Sequence, residues 1–192
     1  LISCDSSGEH DFQNTGTLLS YDPWSYRCCQ HNVAFGWPYF AEHLWMATLD
    51  YGLAAALYAP CEVRAKVGDG AEVSIDEDTR YPFGDFIDFA VWTSKPVTFP
   101  LHLRIPAWCP EAKVLVNGKD TGVEIEAASY VVIQRQWRNG DQVRLELPAK
   151  VRIKTWEKIG NAVSVQRGPL WYSLKIGEEW RRYGGTDDWP AY

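Results

Sequence analysis

Two adjacent cysteines, followed by a histidine and an asparagine, are the residues of this 192-residue sequence whose types and spacing could do chemistry. They lie in the segment Tyr26-Arg27-Cys28-Cys29-Gln30-His31-Asn32. Neighbouring Cα atoms are about 3.8 Å apart, whereas a relaxed disulfide spans roughly 4.4–6.8 Å. A bridge between Cys28 and Cys29 would therefore be strained, and free thiols or metal ligation fit the pair better.

The predicted surroundings of this pair favour an ionised thiol. The pair is predicted to precede a helix, where unpaired backbone N–H groups and the charge of Arg27 stabilise a thiolate, the form that attacks carbon and binds zinc. Zinc sites usually space their cysteines as C-x₂₋₄-C, so an adjacent pair alone is a weak metal signal. From the residues alone, three interpretations stay open: a zinc site, a thiolate oriented by His31, and two ordinary cysteines.

One helix is predicted to follow the pair. Apolar residues recur at a spacing of four from residue 33 to about residue 48, which predicts a helix over this range. Pro38 favours a helix start near Trp37, because proline is tolerated in a first turn and disrupts an interior one. Residues 1–32 are polar and lack periodicity, so they are predicted to form a long loop.

The rest of the chain has the pattern of an all-β domain. Apolar and polar residues alternate over residues 99–105, as expected for a half-buried strand. Turn signals such as Asn117-Gly118 and Gly168-Pro169 separate the segments. Further strands are predicted at 53–58, 62–67, 71–76, 85–93, 113–117, 129–135, 143–147, 151–156, 162–166 and 170–175. Many short antiparallel strands of this kind predict a β-sandwich, so the fold class is mainly β with one helix before it.

Composition excludes several classes of protein. The chain has 19 basic and 25 acidic residues and a net charge of −6, which excludes a general nucleic-acid binder. No segment approaches the roughly 20 apolar residues that a bilayer helix needs, so no membrane span is expected. The five cysteines are an odd number without a framework spacing and are expected to be mostly free thiols. Free thiols favour a reducing compartment, with secretion left open.

The segment Cys28-Cys29-Gln30-His31-Asn32 resembles the C-C-x-x-N motif of bacterial zinc-dependent cysteine glycoside hydrolases whose founding activity is β-L-arabinofuranosidase. Other segments resemble that family in the same order along the chain: 52–58, 101–108, 116–118, 137–148 and 168–172. The family joins an (α/α)₆ barrel to β-sandwich domains. The resemblance implies that residues 1–50 end the helical catalytic barrel and that residues 51–192 form a β-sandwich, complete or truncated at its C-terminal end.

By this resemblance Cys28 is the nucleophile that attacks the anomeric carbon, and Cys28 and Cys29 both bind Zn²⁺. The family's other zinc ligands, from a Glu-x-Cys motif, and its acid/base glutamate would lie upstream of Leu1. Leu1 is neither an initiator methionine nor the start of a signal peptide, so further chain is expected before it. Cys4 is not equated with the missing ligand, because no glutamate stands two residues before it. The isolated chain is expected to be inactive.

The reaction implied is retaining hydrolysis of an arabinose-containing glycan or a similar carbohydrate. Retaining glycosidases normally use two carboxylates about 5–5.5 Å apart, and here a thiolate would replace the nucleophilic carboxylate. The family motif often has two prolines where this chain has Gln30-His31. His31, together with Asn32 and Trp37, is therefore expected to shape a different sugar pocket.

Two alternatives of another class stay open. The sandwich could bind carbohydrate without catalysis, through exposed aromatic residues such as Trp108, Trp137 or Trp171, or it could only support a barrel. Acidic residues at 76–88 and 187–188 are expected to lie on solvated surface and not to form an ordinary glycosidase pair. The acidic residues at 76–88 are Asp76, Glu77, Asp78, Asp85 and Asp88.

Overall fold

The computed structural model describes residues 27–175, 177, 179, 184–186 and 190–191, without the side chains of 27–34, 185 and 190–191. The chain divides into two compact units, Leu1–Phe40 with Leu174–Tyr192 and Ala41–Ser173. The boundary expected from the sequence lies between residues 50 and 51. Assignment of residues 1–50 to a catalytic barrel stays a prediction.

Helix α1, Arg27–Glu42, differs from the helix expected from the sequence. It begins at Arg27, so the expected loop through residue 32 is wrong in its last part, and it continues through Pro38 instead of starting beside it. It ends at Glu42, and Trp45–Ala47 is a strand, so the expected helix end near residue 48 is also wrong. An internal proline removes one backbone hydrogen bond, but the other backbone hydrogen bonds of this 16-residue helix keep it continuous. No helix in the described part of the chain combines the length and hydropathy that crossing a bilayer requires.

The second unit is built from short strands joined by turns. Ten of them form two sheets: β1 Trp45–Ala47, β2 Leu53–Ala55, β3 Cys61–Val67, β4 Ala71–Thr79, β5 Phe86–Thr93, β6 Val97–Ile105, β7 Lys113–Val116, β8 Lys119–Asp120, β9 Ser129–Trp137 and β10 Asp141–Glu146. Three more form a third sheet: β11 Val151–Trp156, β12 Ala162–Arg167 and β13 Leu170–Tyr172. A 3₁₀ turn, Glu157–Ile159, joins β11 to β12. In the first unit, β14 Gly184–Gly185 pairs with β15 Pro190–Ala191.

The two larger sheets enclose one hydrophobic core. Their strand orders are β1-β2-β6-β9 and β3-β4-β5-β10-β7-β8. Among the described strand pairs only β2 and β6 run parallel, and the others are antiparallel. Alternate residues of both sheets, among them Ile75, Phe89, Leu101 and Leu145, pack in a single buried cluster. This arrangement confirms the predicted mainly-β sandwich.

The parallel pairing of β2 with β6 brings two backbones unusually close. A Cβ atom at Gly52 would lie 2.1 Å from the carbonyl oxygen of Pro100 and 2.5 Å from its Cγ. Because the oxygen belongs to the backbone of β6, it cannot rotate away as a side chain would. Glycine at position 52 is therefore what lets β2 enter the sheet.

The third sheet is fastened to the sandwich by polar contacts. Nη2 of Arg167 lies 2.8 and 2.9 Å from the two carboxylate oxygens of Asp85. Nη2 of Arg152 donates a hydrogen bond to the carbonyl oxygen of Trp108. Gly168, at positive φ, packs against the Trp108 ring. These contacts hold β11–β13 beside the sandwich, while much of the sheet's apolar surface stays exposed.

Candidate active site

Cys28 and Cys29 lie in the first turn of α1 and not in the loop expected before it. In a helix the first four backbone N–H groups have no partner within the helix, and the dipole places partial positive charge at this end. The physical reason for expecting an ionised thiol therefore applies to the observed position as well. The side chains of Cys28, Cys29, His31 and Asn32 lie outside the description, so their roles stay predictions.

The spacing of the motif matches the repeat of the helix that carries it. Position 32 follows positions 28 and 29 by four and three residues, and positions at these spacings are neighbours on one helix face. Position 31 is likewise one turn after position 28. A single helix turn thus groups the predicted nucleophile with the predicted pocket residues His31 and Asn32.

Trp37 is the predicted pocket residue whose side chain the structure describes. Its side chain is 65% exposed, and its ring meets that of Phe40 edge to face with centroids 6.0 Å apart. An exposed indole offers a flat apolar surface with one N–H donor, which suits contact with a sugar ring. Whether Trp37 contacts the sugar stays a prediction.

The donor set around the cysteine pair is suited to zinc but incomplete. Two adjacent thiols supply half of the four ligands that a tetrahedral zinc site takes. Among the side chains that the structure describes, no group of three or more His, Cys, Asp or Glu residues could hold a metal ion. Zinc binding by Cys28 and Cys29 therefore stays a prediction.

The two cysteines of the sandwich are poor candidates for a thiolate. Both Cys61 and Cys109 are free, as expected from the sequence. Burial raises the pKa of Cys61 to about 11, and the neighbouring Glu77 carboxyl adds to the shift. Burial also raises the pKa of Cys109. Both remain neutral thiols near pH 7, which leaves the pair on α1 as the better candidates for chemistry.

Glu77 contradicts the expectation that the acidic residues near position 76 lie on the surface. It is only 3% exposed, because the alternation of β4 turns it towards the core while Asp76 and Asp78 face outward. Its carboxyl accepts hydrogen bonds from Trp45 Nε1 at 2.9 Å and from the Ala59 backbone N–H at 3.0 Å. Burial raises the pKa of Glu77 to about 7, so it titrates near neutrality in the folded chain.

Because of this pKa, the free energy of unfolding should depend on pH. Below about pH 4.5 Glu77 is protonated in both the folded and the unfolded chain. Between pH 4.5 and about 7 it is ionised in the unfolded chain but still protonated in the folded chain. The folded state should therefore lose about 3 kcal/mol across this window. Glu77→Gln should remove this slope, as urea unfolding at pH 5, 6, 7 and 8 would measure.

The matched control is Glu72→Gln, which changes an exposed glutamate on the same strand. It should leave the slope unaltered. Trp45 and Cys61 donate to one oxygen of Glu77 and Ala59 donates to the other. Glutamine has a single acceptor oxygen and leaves at least one of these donors unpaired, so Glu77→Gln should destabilise the chain at pH 5 and less so at pH 8. An unchanged pH slope in Glu77→Gln would show that another group is responsible.

The aromatic residues proposed for glycan binding have different surroundings. Trp137 is fully buried, so the expectation that it is exposed is wrong: alternation in β9 turns it inward. Trp108 is half-buried against Gly168. Trp171 is 57% exposed and lies beside Trp156, with ring centroids 6.4 Å apart.

Comparison with known proteins places the sandwich among glycoside hydrolases. A family model described as β-L-arabinofuranosidase, GH127 middle domain, matches residues 52–149, which include β2 to β10. A solved GH127 β-L-arabinofuranosidase from Geobacillus stearothermophilus T6 is 29% identical, with a TM-score of 0.69 over 77% of this chain and 24% of that one. No curated protein matches this chain.

Two further solved structures are similar. One, described only as a glycoside hydrolase, is 25% identical, with a TM-score of 0.73 over 88% of this chain and 28% of its own. The other, a GH127 β-arabinofuranosidase, is 25% identical, with a TM-score of 0.65 over 75% of this chain and 25% of its own. This chain thus spans about a quarter of the length of the structures it matches.

Proposed function

The chain belongs to the GH127 β-L-arabinofuranosidase family, and from this membership we propose that it is the nucleophile-bearing part of a retaining β-L-arabinofuranosidase. The observation that carries the proposal is the Cys28-Cys29 pair in the first turn of α1, shortly before the segment that matches the family model. The solved relatives named for this activity are about three times as long as the chain, since about three quarters of this chain covers about a quarter of each. The activity is therefore proposed for the full-length protein.

In the proposed reaction the Cys28 thiolate attacks the anomeric carbon of the sugar. A C–S bond forms, the C–O bond to the leaving group breaks, and a general acid beyond the described residues protonates the departing oxygen. Water then attacks the same carbon, with its proton taken by that residue acting as base, and the C–S bond breaks. Two displacements at one carbon return the product with retained configuration.

The residues near Cys28 would support this thiolate. Cys28 and Cys29 would hold Zn²⁺, which supplies a counter-charge that keeps a bound thiol deprotonated at neutral pH. Arg27 and the helix N-terminus favour the same anionic form. His31, Asn32 and Trp37 would shape the pocket that receives the sugar.

The test is hydrolysis of an aryl β-L-arabinofuranoside by the full-length protein. We expect turnover with retention, seen by NMR as the anomer released first, and about one zinc per protein by elemental analysis. The 192-residue chain alone should not turn over the substrate. Inversion of configuration would contradict the covalent step, and a fully active protein without zinc would contradict the role given to the metal.

A further inference from the structure

The outer face of the six-stranded sheet carries a feature that the proposed reaction does not use. Two depressions, with volumes of about 460 and 840 Å³, lie on this face. They adjoin at Asp76 and Trp92, because Asp76 lines the smaller one, Trp92 lines the larger one, and the two side chains are hydrogen-bonded. We call the combined depression the outer-face groove, lined by Ser74, Asp76, Asp78, Trp92, Gln142 and Arg144.

We propose that the outer-face groove binds a neutral oligosaccharide and so holds the enzyme on its glycan. The proposal of an arabinose-containing ligand rests on the proposed function. The presence of a carbohydrate site rests on the groove itself. The site would be an accessory one, and none of its residues takes part in hydrolysis.

Strand register explains how the groove forms. Asp76 of β4 is opposite Ala90 of β5, and Ala90 is opposite Gln142 of β10. Along β5 the outward positions on either side of Ala90 are Asp88 and Trp92. A methyl group therefore lies between four larger side chains, and this difference in size makes the depression.

Trp92 provides a fixed aromatic surface in the groove. Its side chain is 43% exposed although it lies on a central strand, and its Nε1 donates a 2.7 Å hydrogen bond to Oδ2 of Asp76. This bond satisfies the indole N–H and limits rotation of the ring. A rigid indole presents a large apolar area at a small entropic cost on binding, as needed for contact with the apolar face of a sugar ring.

Polar groups further along the groove from Trp92 are available for hydroxyl groups. In the part of the chain that the structure describes, the Asp78 carboxylate and the Gln142 side-chain amide make no hydrogen bond. Arg144 holds Asp88 through two bonds, of 2.6 and 2.8 Å, so both remain ordered on the groove wall. An aromatic surface with a few donors and acceptors along the same groove is the usual composition of a small-molecule site.

Charge selects among ligand classes. The smaller depression is lined by Asp76, Asp78, Asp88 and Glu146 against one arginine, and Arg64, Lys66 and Glu72 line the larger one. With five acidic and three basic side chains, the groove as a whole is negative and disfavours phosphates, uronic acids and nucleic acids. The described carboxylates do not converge into a metal-binding group. Arg144 is already hydrogen-bonded to Asp88, and Trp92 to Asp76. Few free carboxylates therefore remain to bind a cationic peptide. A neutral polyhydroxylated ligand fits best.

The test uses the full-length protein with Cys28→Ala, so that binding is measured without turnover. Native gel electrophoresis through an arabinan-containing gel, and titration with arabino-oligosaccharides, report the affinity. Trp92→Ala should weaken binding by about tenfold. Ala90→Gln, which fills the floor of the groove, should do the same without removing the indole. Circular dichroism checks that both variants are folded.

The matched control is Phe83→Ala, which removes an exposed aromatic ring outside the groove. It should bind arabinan as the parent does. With Cys28 restored, Trp92→Ala should keep the parent kcat/KM on a small aryl glycoside and raise KM on arabinan. Equal binding by Trp92→Ala and the parent, or retention of oligolysine in place of oligosaccharide, would overturn the site. Loss of small-substrate turnover in the parent itself would overturn only the proposed function.

Discussion

Cys28→Ala in the full-length protein should lower kcat/KM for an aryl β-L-arabinofuranoside by about 10³-fold or more. Alanine leaves the helix intact, since it is the best helix former, but removes the atom that would form the bond to the sugar. Because no C–S bond can form, pre-steady-state experiments with excess substrate should also lose the burst of leaving group. Stopped-flow absorbance with a chromogenic arabinofuranoside measures both quantities.

Cys61→Ala is the matched control for this experiment. Cys61 is a free cysteine of the same chain, but burial keeps its thiol neutral, with a pKa of about 11. Its replacement should leave kcat/KM within about twofold, since a neutral thiol is a poor nucleophile. A Cys28→Ala protein with parental kcat/KM would exclude Cys28 as nucleophile. Labelling of a different side chain by an arabinose-derived electrophile would do so as well.

Trp137→Ala should lower the free energy of unfolding by about 3–5 kcal/mol. Trp137 is the largest fully buried side chain of the core, and its ring lies 5.7 Å from that of Phe99. Its Nε1 donates a 3.0 Å hydrogen bond to the Phe99 carbonyl oxygen, which the substitution would leave unpaired inside the sandwich. Urea unfolding followed by far-UV circular dichroism measures the loss.

Trp171→Ala provides the contrast for Trp137. Because that ring is largely exposed, its removal should change the free energy of unfolding by less than about 1 kcal/mol. The loss of unfolding free energy for Trp137→Phe should lie between those of Trp137→Ala and Trp171→Ala, since phenylalanine retains most of the volume but not the N–H donor. If Trp137→Ala were as stable as the parent and lost only glycan binding, Trp137 would be a surface residue and the described core would be wrong.

Local patterns predicted most of the sandwich. The alternation at residues 99–105 corresponds to β6, and Asn117-Gly118 forms a turn in which both residues have positive φ. Both features depend on neighbours in sequence, so they can be recognised without the fold. The extent of α1 could not be predicted in this way. The preference of Pro38 for a first turn contributes less free energy than the hydrogen bonds of the whole helix.

Buried polar residues were the main failure of local reasoning. The alternation of β4 places Glu77 at an inward position, whereas a charged side chain is normally expected on the surface. It is tolerated inside because Trp45, 32 residues away, and Ala59, 18 residues away, donate to its carboxyl. Trp137 is similar, since its N–H finds a partner 38 residues away. Such partners are unknown until strand pairing is known.

The sequence by itself determined where most strands and turns of the sandwich lie, because these depend on residue types a few positions apart. It also determined the family, through motifs in a constant order. Only the tertiary structure decided the parallel pairing of β2 with β6, the burial of Glu77 and the outer-face groove. In the groove Asp88 meets Arg144 across 56 residues of sequence. Contacts at that separation depend on register between strands, which no local pattern specifies.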